Sequence, residues 1–124
     1  MSKLIYCATP SRLAGKTGEI MDFVTNKGYA PLHPFQAFPY ERFEGNPNIG
    51  RKKTMEWCFR TVEISDEVWL FGISDGTLGE SQYGLKIGKL IVPKLQFDSQ
   101  GRSLYQKLGS KYDLKLRKII FPSL

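Results

Sequence analysis

The sequence predicts an α/β protein: a three-layer α/β/α sandwich around a five-stranded, mostly parallel sheet, formed as a single domain over residues 1–124. Three observations lead there. Apolar runs of strand length recur along the chain, as in KLIYCA (3–8), EVWLFGI (67–73) and KLIVPKLQF (89–97). Segments with apolar residues at helical spacing lie between them, and strands that alternate with helices pair in parallel. The composition, 41% hydrophobic and 24% charged, is that of a globular chain, and no apolar stretch reaches the ~20 residues of a membrane span.

Taken in order, KLIYCA reads as the first strand and PSRLAGKTG as a loop of turn formers. EIMDFVTNKG (19–28) sets Ile20, Phe23 and Val24 on one helical face and ends in Gly28, a C-terminal stop. YAPLHP (29–34) is a short second strand. FQAFPYERFEGNPNIG (35–50) is too rich in Pro, Gly and Asn for regular structure and predicts a long loop. RKKTMEWCFRTVEIS (51–65) is the clearest helix, with Met55, Cys58, Phe59 and Val62 at i, i+3, i+4 and i+7. EVWLFGI is apolar nearly throughout, as in a strand buried on both faces, and Asp66 and Glu67 mark the turn into it. GESQYGLKIG (79–88) predicts a short helix, KLIVPKLQF a fourth strand, SQGRSLYQKLGSKY (99–112) a helix and LRKIIFP (116–122) a fifth strand. Such an order is that of a flavodoxin-like or Rossmann-like sandwich.

Charge is uneven. Residues 1–85 hold nine Lys/Arg against ten Asp/Glu (−1), and residues 86–124 hold nine against two (+7), together the net +6. The basic side chains of the last third are scattered through strand and helix patterns without stacking aromatics, so nucleic acid is not the expected partner. Cys7 and Cys58 sit far apart, in the first strand and on the apolar face of the 51–65 helix. They read as reduced core thiols, with neither a disulfide framework nor a metal site. With no secretory leader in MSKLIYCATPSR, a cytoplasmic protein is expected. No P-loop, GxGxxG or HExxH motif occurs.

Ligands of open parallel sheets bind beyond the carboxyl ends of the strands, near the switch in strand order. That rule selects three loops. The first carries Thr9, Ser11, Arg12 and Lys16, just past Tyr6; the second carries His33, Tyr40 and Arg42; the third is SDGTLGE, residues 74–80. In the third, Ser74, Asp75, Gly76 and Thr77 make the turn, and Gly79 permits close approach of a ligand. Glu80 falls in the first turn of a helix, where the dipole favours a carboxylate. An ionised carboxylate there can serve as nucleophile at an anomeric carbon. A competing reading is structural, with Thr77 and Glu80 forming a capping box. His33, the only histidine, is either structural or a pocket residue. The aromatics Phe35, Phe38, Tyr40 and Phe43 either stack on a base or pin the loop. Trp57, off the main apolar stripe of its helix, suggests a subunit contact.

The stretches IYCATP, ISDEVWLFG and SDGTLGESQYGLKIGKLIVP, in that order, resemble the nucleoside 2-deoxyribosyltransferase-like superfamily over residues 4–95. The sharpest part is 74–80, which is similar to the family's D/S-x-G-[ST]-x-x-E turn. The resemblance implies cleavage or transfer at the N-glycosidic bond of a nucleoside or nucleoside 5′-monophosphate, with no cofactor. It implies that Glu80 attacks the anomeric carbon, that Ser74 or Asp75 positions sugar or base, and that Tyr6 lies close to the nucleophile. Phosphate-holding roles fall to Thr9, Ser11, Arg12 or Lys16, with Gly76, Thr77, Gly79 and His33 as further substrate contacts. A homodimer or larger assembly is implied as well. The chain departs from the pattern at WCFR, where an aspartate is usual and Glu56 and Glu63 are the nearest acids, and at Gln82, where a small residue is usual. Two alternatives share the fold: a non-catalytic nucleotide sensor, and a TIR-type protein that cleaves NAD with a lone glutamate.

Overall fold

In the computed structural model, residues 2–112 are described. Four strands form one parallel sheet in the order β2-β1-β3-β4, with β1 at Leu4–Ala8, β2 at Ala30–Leu32, β3 at Glu67–Leu70 and β4 at Leu90–Pro93. That is the order of the first four strands of a flavodoxin-like sheet, which reverses direction between β1 and β3. Tyr6 lies opposite Leu32 on one side and Val68 on the other, and Ala8 lies opposite Leu70. Pro31 sits in β2, at an edge, where the amide it lacks has no inner neighbour to bond. The predicted fifth strand, LRKIIFP, lies outside the described residues.

Side-chain alternation splits the core into two layers. Ile5, Cys7, Trp69 and Phe71 face Ile20 and Val24 of α1 (Thr17–Asn26). Tyr6, Ala8, Val68 and Leu70 face the other way, toward Cys58 and Val62 of α3 (Gly50–Ile64) and Leu78 of α4 (Asp75–Lys86). Leu104 and Leu108 of α5 (Gly101–Leu108) pack against this second layer too. The chain leaves α1 through Gly28 at a φ of 91°, a left-handed turn that stops the helix without a Cβ clash. Gly84 lets α4 lie close on the sheet, since a Cβ there would stand 3.1 Å from both Ile91 and Val68.

Three segments are more regular than the sequence implies, the first being the predicted 10–18 loop, which holds a 3-10 helix at Ser11–Lys16. Within residues 35–50, His33 and Pro34 open a short helix, α2 (Pro34–Ala37), because the imidazole accepts the Phe35 amide and proline suits a first helical position. A 3-10 turn at Tyr40–Arg42 follows. Phe38 and Phe43 then pack on each other at 5.3 Å and on Trp57 of α3, each at 5.9 Å, which pins the segment to the body. The helix foreseen at 79–88 starts four residues earlier, at Asp75.

The turns after β1 and β3 touch at Gly72. A Cβ there would stand 2.6 and 2.7 Å from Cδ and Cγ of Pro10, a rigid ring, and 2.9 Å from Leu13. Gly72→Ala is therefore expected to destabilise the fold by about 1–3 kcal/mol, as overpacking does; urea denaturation measures it, and an unchanged midpoint would contradict this packing. Among the described residues, no helix is long and apolar enough to cross a membrane, and no group of His, Cys, Asp and Glu could hold a metal ion.

Candidate active site

A cleft of about 80 Å³, open to solvent, lies beyond the carboxyl ends of β1 and β3. Thr9, Pro10 and Ser11 from the turn after β1 form one wall, and Ser74, Gly76 and Thr77 at the start of α4 form another. Phe35 of α2 and Phe38 just past its end join the lining, Thr54 and Met55 come from α3, and Glu44 and Arg51 stand at the mouth as an ion pair 3.4 Å apart. Glu80 and Cys58 form the floor, each 4% exposed.

The start of α4 decides how Glu80 is presented. Ser74 caps the helix: its hydroxyl accepts the Thr77 amide at 3.1 Å, and the Thr77 hydroxyl accepts the Ser74 amide at 2.9 Å. The Thr77 hydroxyl also donates to the Gly72 carbonyl at 2.7 Å, which ties the helix to the end of β3. The capping box is thus Ser74 with Thr77, and the Thr77–Glu80 box suggested by the sequence does not form. Glu80 lies in the second turn, past the reach of the terminal dipole, and its carboxyl is turned inward. It accepts a hydrogen bond from the hydroxyl of Tyr6, which is fully buried in β1.

Burial sets the proton affinities. It pushes the Glu80 carboxyl up to about 7; donation from Tyr6 and Cys58 opposes the rise, the Glu44 charge adds to it and Arg51 opposes it. This replaces the dipole-stabilised anion that the sequence suggested. Burial, and then the Glu80 charge, raise Tyr6 well above its ordinary value. Burial and the same charge push the Cys58 thiol up to about 12. Tyr6 and Cys58 therefore stay protonated as donors, and Glu80 is the member of the trio that ionises near neutrality.

The other residues singled out from the sequence divide into two sets. Thr9, Ser11, Ser74, Gly76 and Thr77 line the cleft with Glu80. Asp75 does not: it is exposed, and its carboxylate accepts from the Tyr112 hydroxyl at 2.8 Å. Gly79 also faces Tyr112, whose ring lies 4.0 Å from where a Cβ would stand. Arg12 is drawn away by Asp98, which it grips at 2.6 and 2.8 Å while also donating to the Ile73 carbonyl at 2.7 Å. Lys16 donates to the Phe97 carbonyl at 3.2 Å. Neither basic side chain lines the cleft.

His33 is structural. Its Nδ1 accepts the Phe35 amide at 3.1 Å, so the proton is assigned to Nε2, which donates to the Thr9 hydroxyl at 3.1 Å; Thr9 in turn donates to the Cys7 carbonyl at 3.0 Å. Burial lowers its pKa to about 4. Because that lies below the ordinary 6.5, the unfolded chain binds more protons in between, and stability falls as pH drops through this window. His33→Asn, which retains a capping oxygen, is expected to remove this acid loss, on the order of 2 kcal/mol at pH 5. Denaturation midpoints of the two proteins at pH 5 and pH 7.5 measure it, and equal pH slopes would refute it.

The sequence reading missed Glu44, Arg51, Thr54 and Met55 as cleft residues, and took Cys58 for a core thiol alone. The regular spacing of Thr54, Cys58 and Arg51 on one side of α3 was the available signal. Comparison of the chain with protein-family models, with curated proteins and with solved structures gives no significant match.

Proposed function

We propose that the protein cleaves or transfers at the N-glycosidic bond of a nucleoside or nucleotide, with Glu80 as nucleophile. The observation that carries this reading is the buried Glu80 carboxyl at the floor of a cleft beyond β1 and β3, in contact with the Tyr6 hydroxyl. A tyrosine beside the nucleophile is what the resemblance to the nucleoside 2-deoxyribosyltransferase-like superfamily implies for Tyr6. In this reading the ionised Glu80 attacks the anomeric carbon as the base departs, and water or a second base then resolves the glycosyl ester. Tyr6 and Cys58 hold the carboxyl in place and, as donors, make it a better leaving group in the second step. Phe35 and Phe38 offer ring faces to the base.

A second reading is a nucleotide-binding sensor of the same fold. The displacement of Asp75 from the cleft favours it, because one expected acid is then missing from the site. Thermal stabilisation across nucleosides, nucleoside monophosphates and NAD, with chromatography for released base, separates the two. The enzyme reading predicts a shift with free base, lost in Glu80→Gln. A shift without base supports the sensor, release of nicotinamide from NAD with no base from any nucleoside or nucleoside monophosphate supports TIR-type chemistry, and no shift at all rejects the cleft as a nucleotide site. The reading also includes a cytoplasmic homo-oligomer. Exposed Ile64 and Trp57 beside Phe38 and Phe43 support a subunit contact, and light scattering after size exclusion should give at least a dimer mass, a monomer being the contrary result.

A further inference from the structure

Resting on the glycosidic reading, we propose that the cleft takes an N-glycoside whose base already carries a positive charge, a leaving group of the pyridinium or N7-alkylpurine type. The chemistry of departure is the first reason. A neutral base leaves as an anion unless an acid protonates it, so N-glycoside cleavage needs a placed proton donor. Among the described residues, the acid nearest in sequence to Glu80, Asp75, is committed to Tyr112 outside the cleft. The Ser74 and Thr77 hydroxyls are committed to the helix cap and the Gly72 carbonyl, and those of Thr9 and Thr54 to the Cys7 and Gly50 carbonyls, which leaves the Ser11 hydroxyl, a far weaker acid than a carboxyl. Glu44 is ion-paired with Arg51 at 3.4 Å. A cationic base removes the requirement. As a Glu80 oxygen bonds to the anomeric carbon, the carbon–nitrogen electron pair returns to the ring nitrogen, which becomes neutral, and no proton moves. Water then adds to the anomeric carbon, the ester bond breaks, Glu80 is regenerated as carboxylate and the water proton passes to solvent.

The charge lining the cleft is the second reason. Glu44 and Glu80 face one guanidinium, Arg51, while Arg12 and Lys16 are engaged elsewhere. With Glu80 ionised, the charged lining among the described residues sums to one negative charge. Phe35 and Phe38 add aromatic lining, and aromatic rings attract cations. The third reason is coupling. The groups that face Glu80 are Tyr6 from β1, Cys58 and Arg51 from α3, and Glu44 from the segment before α3. A cation arriving among them favours the ionised carboxyl, so binding itself generates the nucleophile and releases a proton.

Two matched pairs test this with the intact chain: nicotinamide riboside against its neutral dihydro form, and N7-methylguanosine against guanosine. Titration calorimetry at pH 7 in two buffers of different ionisation heat reads affinity and proton release, and chromatography reads free base. Each cationic member should bind at least tenfold tighter than its neutral partner, with base release, and with proton release that disappears in Glu80→Gln. Equal or tighter binding and base release from the neutral members would overturn the charge inference while leaving the glycosidic reading intact. Binding without base release from any member, or no binding at all, would overturn both.

Discussion

Glu80→Gln should lose turnover by at least roughly a thousandfold, the scale of removing a nucleophile, while the folded protein becomes more stable above pH 7. The two effects have one cause. Glu80 is 4% exposed, and burial lifts its pKa from 4.5 to about 7. The folded chain therefore binds more protons than the unfolded chain between those values. The contribution is fully present below 4.5, falls as pH rises through about 7, and is absent above it. A wild-type protein at pH 8 carries a buried anion at a cost of about 3 kcal/mol relative to pH 4. Glutamine keeps the shape and an acceptor for Tyr6 but removes the charge, so its stability should lack this slope. Denaturant midpoints of both proteins from pH 5 to pH 8.5 measure it, with His33 contributing the opposite slope equally to each. If the two proteins ran parallel across that range, Glu80 would not be the buried group described. Turnover by wild type should rise with pH through about 7 as the carboxylate forms.

Asp98→Ala should be the most damaging change outside the cleft. Asp98 accepts from Arg12 on both oxygens, from the Ile73 amide at 2.9 Å and from the Gln100 amide at 3.0 Å. Burial alone would push its carboxyl up, but these donors outweigh burial and hold it below the ordinary 3.8. Its stabilisation is therefore present above 3.8 and lost as pH falls through the lower folded value. Removing one partner of such a buried pair typically costs about 3–5 kcal/mol, because the other charge is left uncompensated. For a domain of this size that is a fall in Tm of roughly 10–20 °C. Arg12 and Asp98 both bond Ile73, in the turn from β3 into α4, so the variant should also loosen the position of Glu80. Differential scanning calorimetry measures the first effect; a Tm within about 3 °C of wild type would show the clamp to be incidental.

The four described strands and the main helices were legible because local pattern decides them. The apolar run of β3, the α3 stripe through Cys58 and Val62, and the Gly28 stop each act over a few residues. The loops beyond β1 and β3 were legible as the place for a cleft through the general rule for parallel sheets. What the sequence hid are choices made by distant partners. Arg12 looks like a phosphate ligand until Asp98, 86 residues away, takes it. SDGTLGE offers two capping hydroxyls, and the choice of Ser74 follows from a Thr77 bond to the Gly72 carbonyl that spacing cannot reveal. That choice moves Glu80 from a helix tip into the core, turns Asp75 outward and inverts the expected effect on acidity. Cys58 fits a core stripe, and only the arrival of α4 beside it makes it part of the cleft floor.

The mechanism turns on a glycosyl bond to Glu80. Its most direct measurement is intact-mass and peptide mass spectrometry after incubation with 2-deoxy-2-fluoro nucleosides, cationic and neutral, whose fluorine slows departure from a glycosyl ester by destabilising the oxocarbenium-like transition state. One added glycosyl mass is expected, mapped to the peptide containing Glu80 and absent in Glu80→Gln. Base release without an adduct, or an adduct mapped to another residue, would contradict it.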